Sequence, residues 1–190
     1  MQNNNRYQAD AAYGVISGKS QANSATQALT GLGGFPFTIA ADAAVIPMIY
    51  MPLWNDIRKV YGHVPVDSNA LMGIIGNILP EVLADLVMDK ILGNVPILGV
   101  YFNAVCAKAM TWRHGILFAF LSSRGSDIPS GSVRKAMELI RVAFPQREMF
   151  KFQTPDKETF IRLVTSAEGL SVPELNSRID KALGILGEKH

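Results

Sequence analysis

From Leu29 to Trp54 the chain carries a single formal charge, Asp42, and two further apolar stretches follow at residues 70–92 and 96–121. Wound as one helix, the first would run roughly 39 Å, enough to cross a bilayer. Water must therefore be kept from three greasy coils, by one another or by lipid. Glycines and prolines interrupt the first stretch at Gly31, Gly33, Gly34, Pro36, Pro47 and Pro52. Proline removes an amide donor and crowds the preceding turn, which predicts two shorter helices or a kinked one centred on Ile39–Tyr50.

The segment Asn55–Gly62 reads as a polar helix end, with Arg58 and Lys59 complementing the helix dipole and Gly62 as its stop. Asp67 and Ser68 are N-cap candidates for a helix over Ala70–Leu92. Its acids Glu81, Asp85 and Asp89 recur every four residues and so share one stripe, while Ile75, Ile78, Leu79, Leu83, Leu86 and Val87 cover much of the remainder. Pro80 predicts a kink or break near Leu79, and Gly93 closes the helix. Pro96 opens the third stretch, in which Gly99, Ala104, Ala107 and Ala109 allow a neighbour to approach closely. Lys108 and Arg113 interrupt it, and are expected to face solvent, to snorkel, or to pair with the acids of the preceding helix. The short Gly93-Asn94 connection predicts an antiparallel hairpin of Ala70–Leu92 on Pro96–Leu121.

Charge density divides the rest of the chain. Residues 1–122 hold seven basic and seven acidic groups, against eleven and nine in residues 123–190. Residues 1–28, rich in Asn, Gln, Ser and Ala, read as a polar leader, loose or helical; residues 29–122 as an apolar helical core; and residues 123–190 as a soluble helical appendage beyond the turn-rich Ser122–Gly131. In the appendage Ser132 is expected to cap a helix over Val133–Phe144. Pro155 opens one reaching Ala167, and the Ser171/Glu174 pair has capping-box spacing ahead of Leu175, Ile179, Ala182, Leu183 and Leu186. Nothing alternates with a period of two, so the expected fold class is all-α, an apolar hairpin packed in a helical bundle. A net charge of +2 is too small to suggest a nucleic-acid partner. The polar start, with Gln2 after Met1, offers neither a secretory signal nor a myristoylation site, which predicts the cytoplasmic face of a membrane or the cytosol.

Few residues invite chemistry. Gly14–Ser20 ends in Gly-Lys-Ser like a phosphate-binding loop, but only three residues separate its glycines, Tyr13 stands where the first glycine belongs, and no apolar strand precedes it. Glu81, Asp85 and Asp89 lack a Glu-x-x-His partner helix, and His63, His114 and His190 have no ligand spacing, so a solvated or salt-bridged stripe is the simpler reading. Cys106 sits among alanines and valine with His114 two turns away, a remote pair for nucleophilic chemistry. Asp42 suits a helix cap better than an intramembrane acid. No catalytic residue, metal or other cofactor is expected. Tyr50, Trp54 and Tyr61 beside Arg58 and Lys59 suit an interfacial membrane anchor, and equally a buried tryptophan at a basic helix end.

The order of Arg58-Lys-Val-Tyr-Gly62, Asn77-Ile-Leu-Pro-Glu-Val-Leu-Ala-Asp85, Pro96-Ile-Leu-Gly99 and Asn103–Gly115 resembles a family of unknown function typified by the bacterial inner-membrane protein YcjF, over roughly residues 30–122. Domains of that family often follow a small GTPase domain in the same chain. The resemblance implies a membrane-linked helical domain and, with no GTPase domain in this sequence, a separately encoded NTPase as partner. It implies no catalytic residues. The expected function is a non-enzymatic, membrane-associated adaptor or regulatory module. The alternatives are a membrane-inserting bundle of colicin-like type and a soluble homo-oligomeric scaffold.

Overall fold

The computed structural model describes residues 2–31, 39–74, 76, 98–125, 130–145 and 151–187. Among them every regular element is an α-helix: α1 (Gln2–Gly31), α2 (Ile39–Val60), α3 (residues 68–74), α4 (Leu98–Arg124), α5 (Ser130–Ala143), α6 (Lys157–Thr165) and α7 (Val172–Gly187). The expected all-α bundle is what these residues form. Most of the Ala70–Leu92 arm of the hairpin, with Glu81, Asp85 and Asp89, lies outside the described residues; its start does not, and Asp67 Oδ1 accepts from the Ala70 amide at 2.9 Å as an N-cap should.

The bundle is organised around α4. Every residue from His114 to Ser122 is buried, because α1, α2, α5 and α6 all pack against this helix. An apolar stripe on one face would be too narrow for a helix surrounded in this way, which explains the all-round apolar sequence of its C-terminal half. Gly115 faces Ile16 of α1, and Thr111 Oγ1 lies 3.2 Å from Asn23 Nδ2, so α1 and α4 run antiparallel. Tyr50 meets His114 and Trp54 meets Phe118, so α2 runs parallel to α4. Asp10 pairs with Lys157, while Asn5 reaches Glu168, placing α6 antiparallel to α1. Thus α1 lies against three helices that all point the other way.

The N-terminal segment departs most from the sequence reading. It is no leader: α1 is thirty residues long and, among the described residues, packs more extensively on α4 than any other pair of helices does. Its buried face is Ala9, Ala12, Ile16, Ser20 and Ser24, spaced three or four apart. Small side chains carry little hydrophobicity, so the segment reads as polar, yet they let two backbones approach closely.

Nor are residues 123–190 an appendage in packing. Val133, Ala136, Met137 and Ile140 of α5 and Phe160, Ile161 and Val164 of α6 belong to the same hydrophobic cluster as Ile16, Leu53 and Phe118. Their charge sits on the outer faces, as in the pair of Lys135 with both carboxylate oxygens of Asp180 at 2.7 and 2.8 Å.

Smaller departures have local causes. Of the two forms expected for the first stretch, two shorter helices or one, α2 is a single helix through Pro47 and Pro52. Pro52 lies on its exposed side, where solvent meets the gap in the hydrogen-bond ladder. α5 begins at Ser130, so Ser132 is a buried helical residue rather than a cap. α6 begins after Asp156, whose carboxylate accepts from the Thr159 amide at 2.8 Å and its hydroxyl at 2.7 Å. Of the expected Ser171/Glu174 capping box the return half is in place, the Ser171 amide donating to Glu174 at 2.8 Å and the Ser171 hydroxyl to the same carboxylate at 2.6 Å.

Candidate functional site

The parallel course of α2, α4 and α6 brings their C-terminal ends together beside the first turns of α1. Each chain leaves its helix through a glycine with positive φ: Gly62 at 76°, Gly125 at 78° and Gly169 at 66°. At α2 the exit is a Schellman turn, with the His63 amide donating to Arg58 O at 2.9 Å and the Gly62 amide to Lys59 O at 3.1 Å.

A polar cavity of about 90 Å³ lies at this junction, lined by Asn5 and Gln8 of α1, Tyr61 and His63 after α2, Ser122, Ser123 and Gly125 of the α4 end, and Thr165 and Glu168 of the α6 end. The walls are tied across helices. His63 Nε2 donates to Ser122 O at 2.8 Å, Gln8 Nε2 to Val60 O at 3.3 Å, Ser123 Oγ to Val164 O at 2.9 Å, and Asn5 Nδ2 to Glu168. Two hydroxyls stand apart from these bonds. Ser122 Oγ and Tyr61 OH are buried without a hydrogen-bond partner among the described residues. Burial, and secondarily the negative charge of Glu168, pushes the Tyr61 phenol well above its ordinary range, so it stays protonated at any physiological pH.

A second, larger cleft of about 280 Å³ opens between α4, the end of α5 and the approach to α6. Trp112, Ile116, Phe144 and Phe152 form its apolar walls, and Arg113 and Asp156 stand among its polar groups. Its size is near the lower limit for small-molecule pockets. Asp156 is spent on capping α6, and the Thr159 hydroxyl and amide hold its carboxyl below the usual range, so it is ionised and engaged rather than poised to exchange a proton.

The aromatic-basic cluster read from the sequence separates in space. Tyr50 and Trp54, expected at a membrane interface, are only 5% and 4% exposed. Trp54 stacks on Phe118 with centroids 5.3 Å apart, and Tyr50 lies 4.4 Å from the His114 ring. These two rings fill the α2–α4 seam, which is the buried-tryptophan alternative. Arg58 lies over Trp54 at 5.7 Å and donates from Nε to Val64 O at 2.8 Å, while Lys59 is exposed and Tyr61 joins the polar cavity.

Lys108 and Arg113 are half-buried on α4, with the acids proposed to face them outside the described residues. His114 Nδ1 donates to Met110 O at 2.8 Å, and the Cys106 side chain is not among those described. Gly14–Ser20 is continuous helix with Ile16 and Ser20 buried, so its amides are committed to α1 and cannot cradle a phosphate; Lys19 pairs with Asp56 at 2.9 Å.

Sequence reading did not gather Tyr61, Ser122 and Glu168. A signal existed in the glycines that follow three helical patterns, but it marks where helices stop, not which stops meet. Among the described residues no group of three or more metal-ligating side chains occurs, and no helix is long and apolar enough to cross a membrane. No family model matches the chain, and no curated protein or solved structure shows significant similarity to it.

Proposed function

We propose that the chain is a non-enzymatic helical module that docks on an anionic membrane surface and serves a protein partner, a separately encoded NTPase, as adaptor or regulator. The observation that carries the membrane half is the edge following α2. Lys59 is exposed there, Val64 and Met72 are 76% and 43% exposed, and Pro65 lies between them. Apolar groups beside a cation suit the headgroup boundary of a bilayer, and they adjoin the least charged part of the chain. The partner half is supported by the charged outer faces of α5–α7, with Arg134, Glu138, Glu174, Arg178, Asp180 and Lys181 exposed, and by the resemblance to YcjF-type domains.

Flotation with vesicles containing anionic lipid tests the first half. Lys59→Glu combined with Val64→Asp should abolish flotation and leave helicity intact, whereas Trp54→Ala should act through stability. Unchanged flotation of the double variant would overturn the assignment. For the second half, the hydrolysis rate of the NTPase encoded nearest the gene should change on adding this chain.

A second reading is favoured by one observation: the apolar run His114–Ser122 is wrapped by helices with polar outer faces, the arrangement a membrane-inserting bundle needs before it opens. Dye release from vesicles on acidification supports that reading, and intact vesicles exclude it.

A further inference from the structure

The larger cleft holds two opposite charges that do not meet. Arg113 stands on its α4 wall and Asp156 at the start of α6, and no ion pair joins them. The cation that Asp156 feels is Arg162, which itself donates to Thr159 Oγ1 at 3.3 Å. Only one oxygen of Asp156 serves the helix cap. Oδ1 accepts from both the amide and the hydroxyl of Thr159, while Oδ2 accepts no hydrogen bond among the described residues. Arg113 is half-buried, and its planar guanidinium carries five N–H donors, so it can take a carboxylate beside the contacts it makes within the chain.

Between the two charges the lining is apolar and largely aromatic. Trp112 and Ile116, buried in the core, make the floor, and the half-buried Phe144 and Phe152 stand open to the cleft. A volume of about 280 Å³ admits one small molecule. The charges narrow its chemistry. A lone anion would meet Asp156, a lone cation would meet Arg113, and a neutral apolar guest would strip water from both without replacing it. A compact molecule that carries both signs and an aromatic body answers every wall of the cleft.

We propose that this cleft binds a free α-amino acid with an aromatic side chain, its carboxylate on Arg113, its ammonium on Asp156 Oδ2 and its ring against Phe144 and Phe152. The bound molecule joins α4 to the end of α5 and the start of α6. This assignment stands independently of the membrane and partner roles.

Titration calorimetry of the full chain with L-phenylalanine at neutral pH tests it, beside three analogues. Phenylpropionate lacks the ammonium, phenylethylamine lacks the carboxylate, and N-acetylphenylalanine keeps carboxylate and ring but has its amine blocked. Phenylalanine should saturate one site per chain, and each analogue should bind about tenfold more weakly, the worth of one charged hydrogen-bonded contact. Arg113→Gln should weaken phenylalanine about tenfold and leave phenylethylamine unchanged. Asp156→Asn, which keeps a side-chain acceptor for the α6 cap, should weaken phenylalanine and leave phenylpropionate unchanged. A variant that had merely lost its fold would lose every ligand alike.

The analogues need no variant, so the unaltered chain alone can refute the assignment. Absence of saturable heat with phenylalanine overturns it. Phenylpropionate binding as tightly as phenylalanine overturns it too, and so does equal binding of N-acetylphenylalanine, which would point instead to the C-terminal tail of a protein.

Discussion

Gly115 is a point of close approach in the α1–α4 seam. A Cβ built on it would sit 2.7 and 2.8 Å from Ile16 Cγ1 and Cγ2, branch atoms held close to their own backbone and unable to swing away. Gly115→Ala should therefore destabilise the chain by about 1–3 kcal/mol through overpacking, despite the better helix propensity of alanine. Urea titration reads this as a lower midpoint at constant slope. In an Ile16→Ala background, where both γ carbons are gone, Gly115→Ala should cost less than in the unaltered chain, giving a coupling that independent sites would not show. Trp54→Ala removes a ring stacked on Phe118 in the core and should cost about 3–5 kcal/mol. At this scale the sequence was partly legible. Spacing marked Leu175 and Ile179 for the buried stripe of α7, but whether Trp54 faced lipid or protein depended on α4 lying beside it, a relation no local pattern encodes.

Helix ends were more legible, because a cap is a contact between near neighbours in sequence. The Asp67 cap, the Gly62 stop and the Ser171 amide bond to Glu174 all form where spacing predicts, whereas α6 starts two residues later than Pro155, since Asp156 offers the better acceptor. These caps set the acid response. Hydrogen bonds from Thr159 and Ser171, hydroxyl and amide in each case, lower the carboxyls of Asp156 and Glu174 from ordinary values of 3.8 and 4.5. A carboxyl depressed by folding contributes stability above its unfolded value and loses it as pH falls through its folded one. Asp156→Asn and Glu174→Gln should thus lower Tm at neutral pH. The gap to the unaltered chain should start to close below about pH 4.5 for Glu174 and below about pH 3.8 for Asp156, and vanish once each folded carboxyl is protonated. A gap of constant size down to pH 2 would show that the carboxylates are not the cause. The internal course of α2 was less legible, because the cost of a proline depends on whether water can reach the carbonyl it strands.

For the whole molecule, the decisive fact is that α1 covers α4 while α6 clamps α1 from outside, through Arg6 with Glu158, Asp10 with Lys157, and Tyr13 OH donating to Pro155 O at 2.8 Å. The ion pairs are exposed and worth little individually, so the clamp depends on the Tyr13 ring packing against Trp112 and Phe160. A chain made of leader, core and appendage would survive loss of either end, each remaining part keeping its own hydrophobic centre. One cluster running through α1, α2, α4, α5, α6 and α7 forbids that. Deleting residues 2–24 should strip Ala9, Ala12, Ile16 and Ser20 from α4, expose the run from His114 to Ser122, and convert cooperative thermal unfolding into aggregation or a featureless melt. Residues 126–190 made alone should lack the dispersed amide spectrum of a fold, since Val133, Met137, Phe160 and Val164 would lose the α4 and α1 surfaces that bury them. A cooperative transition in either fragment would restore the three-part reading. Charge density drew those boundaries in the sequence, and charge density reports which faces meet water rather than which helices share a core.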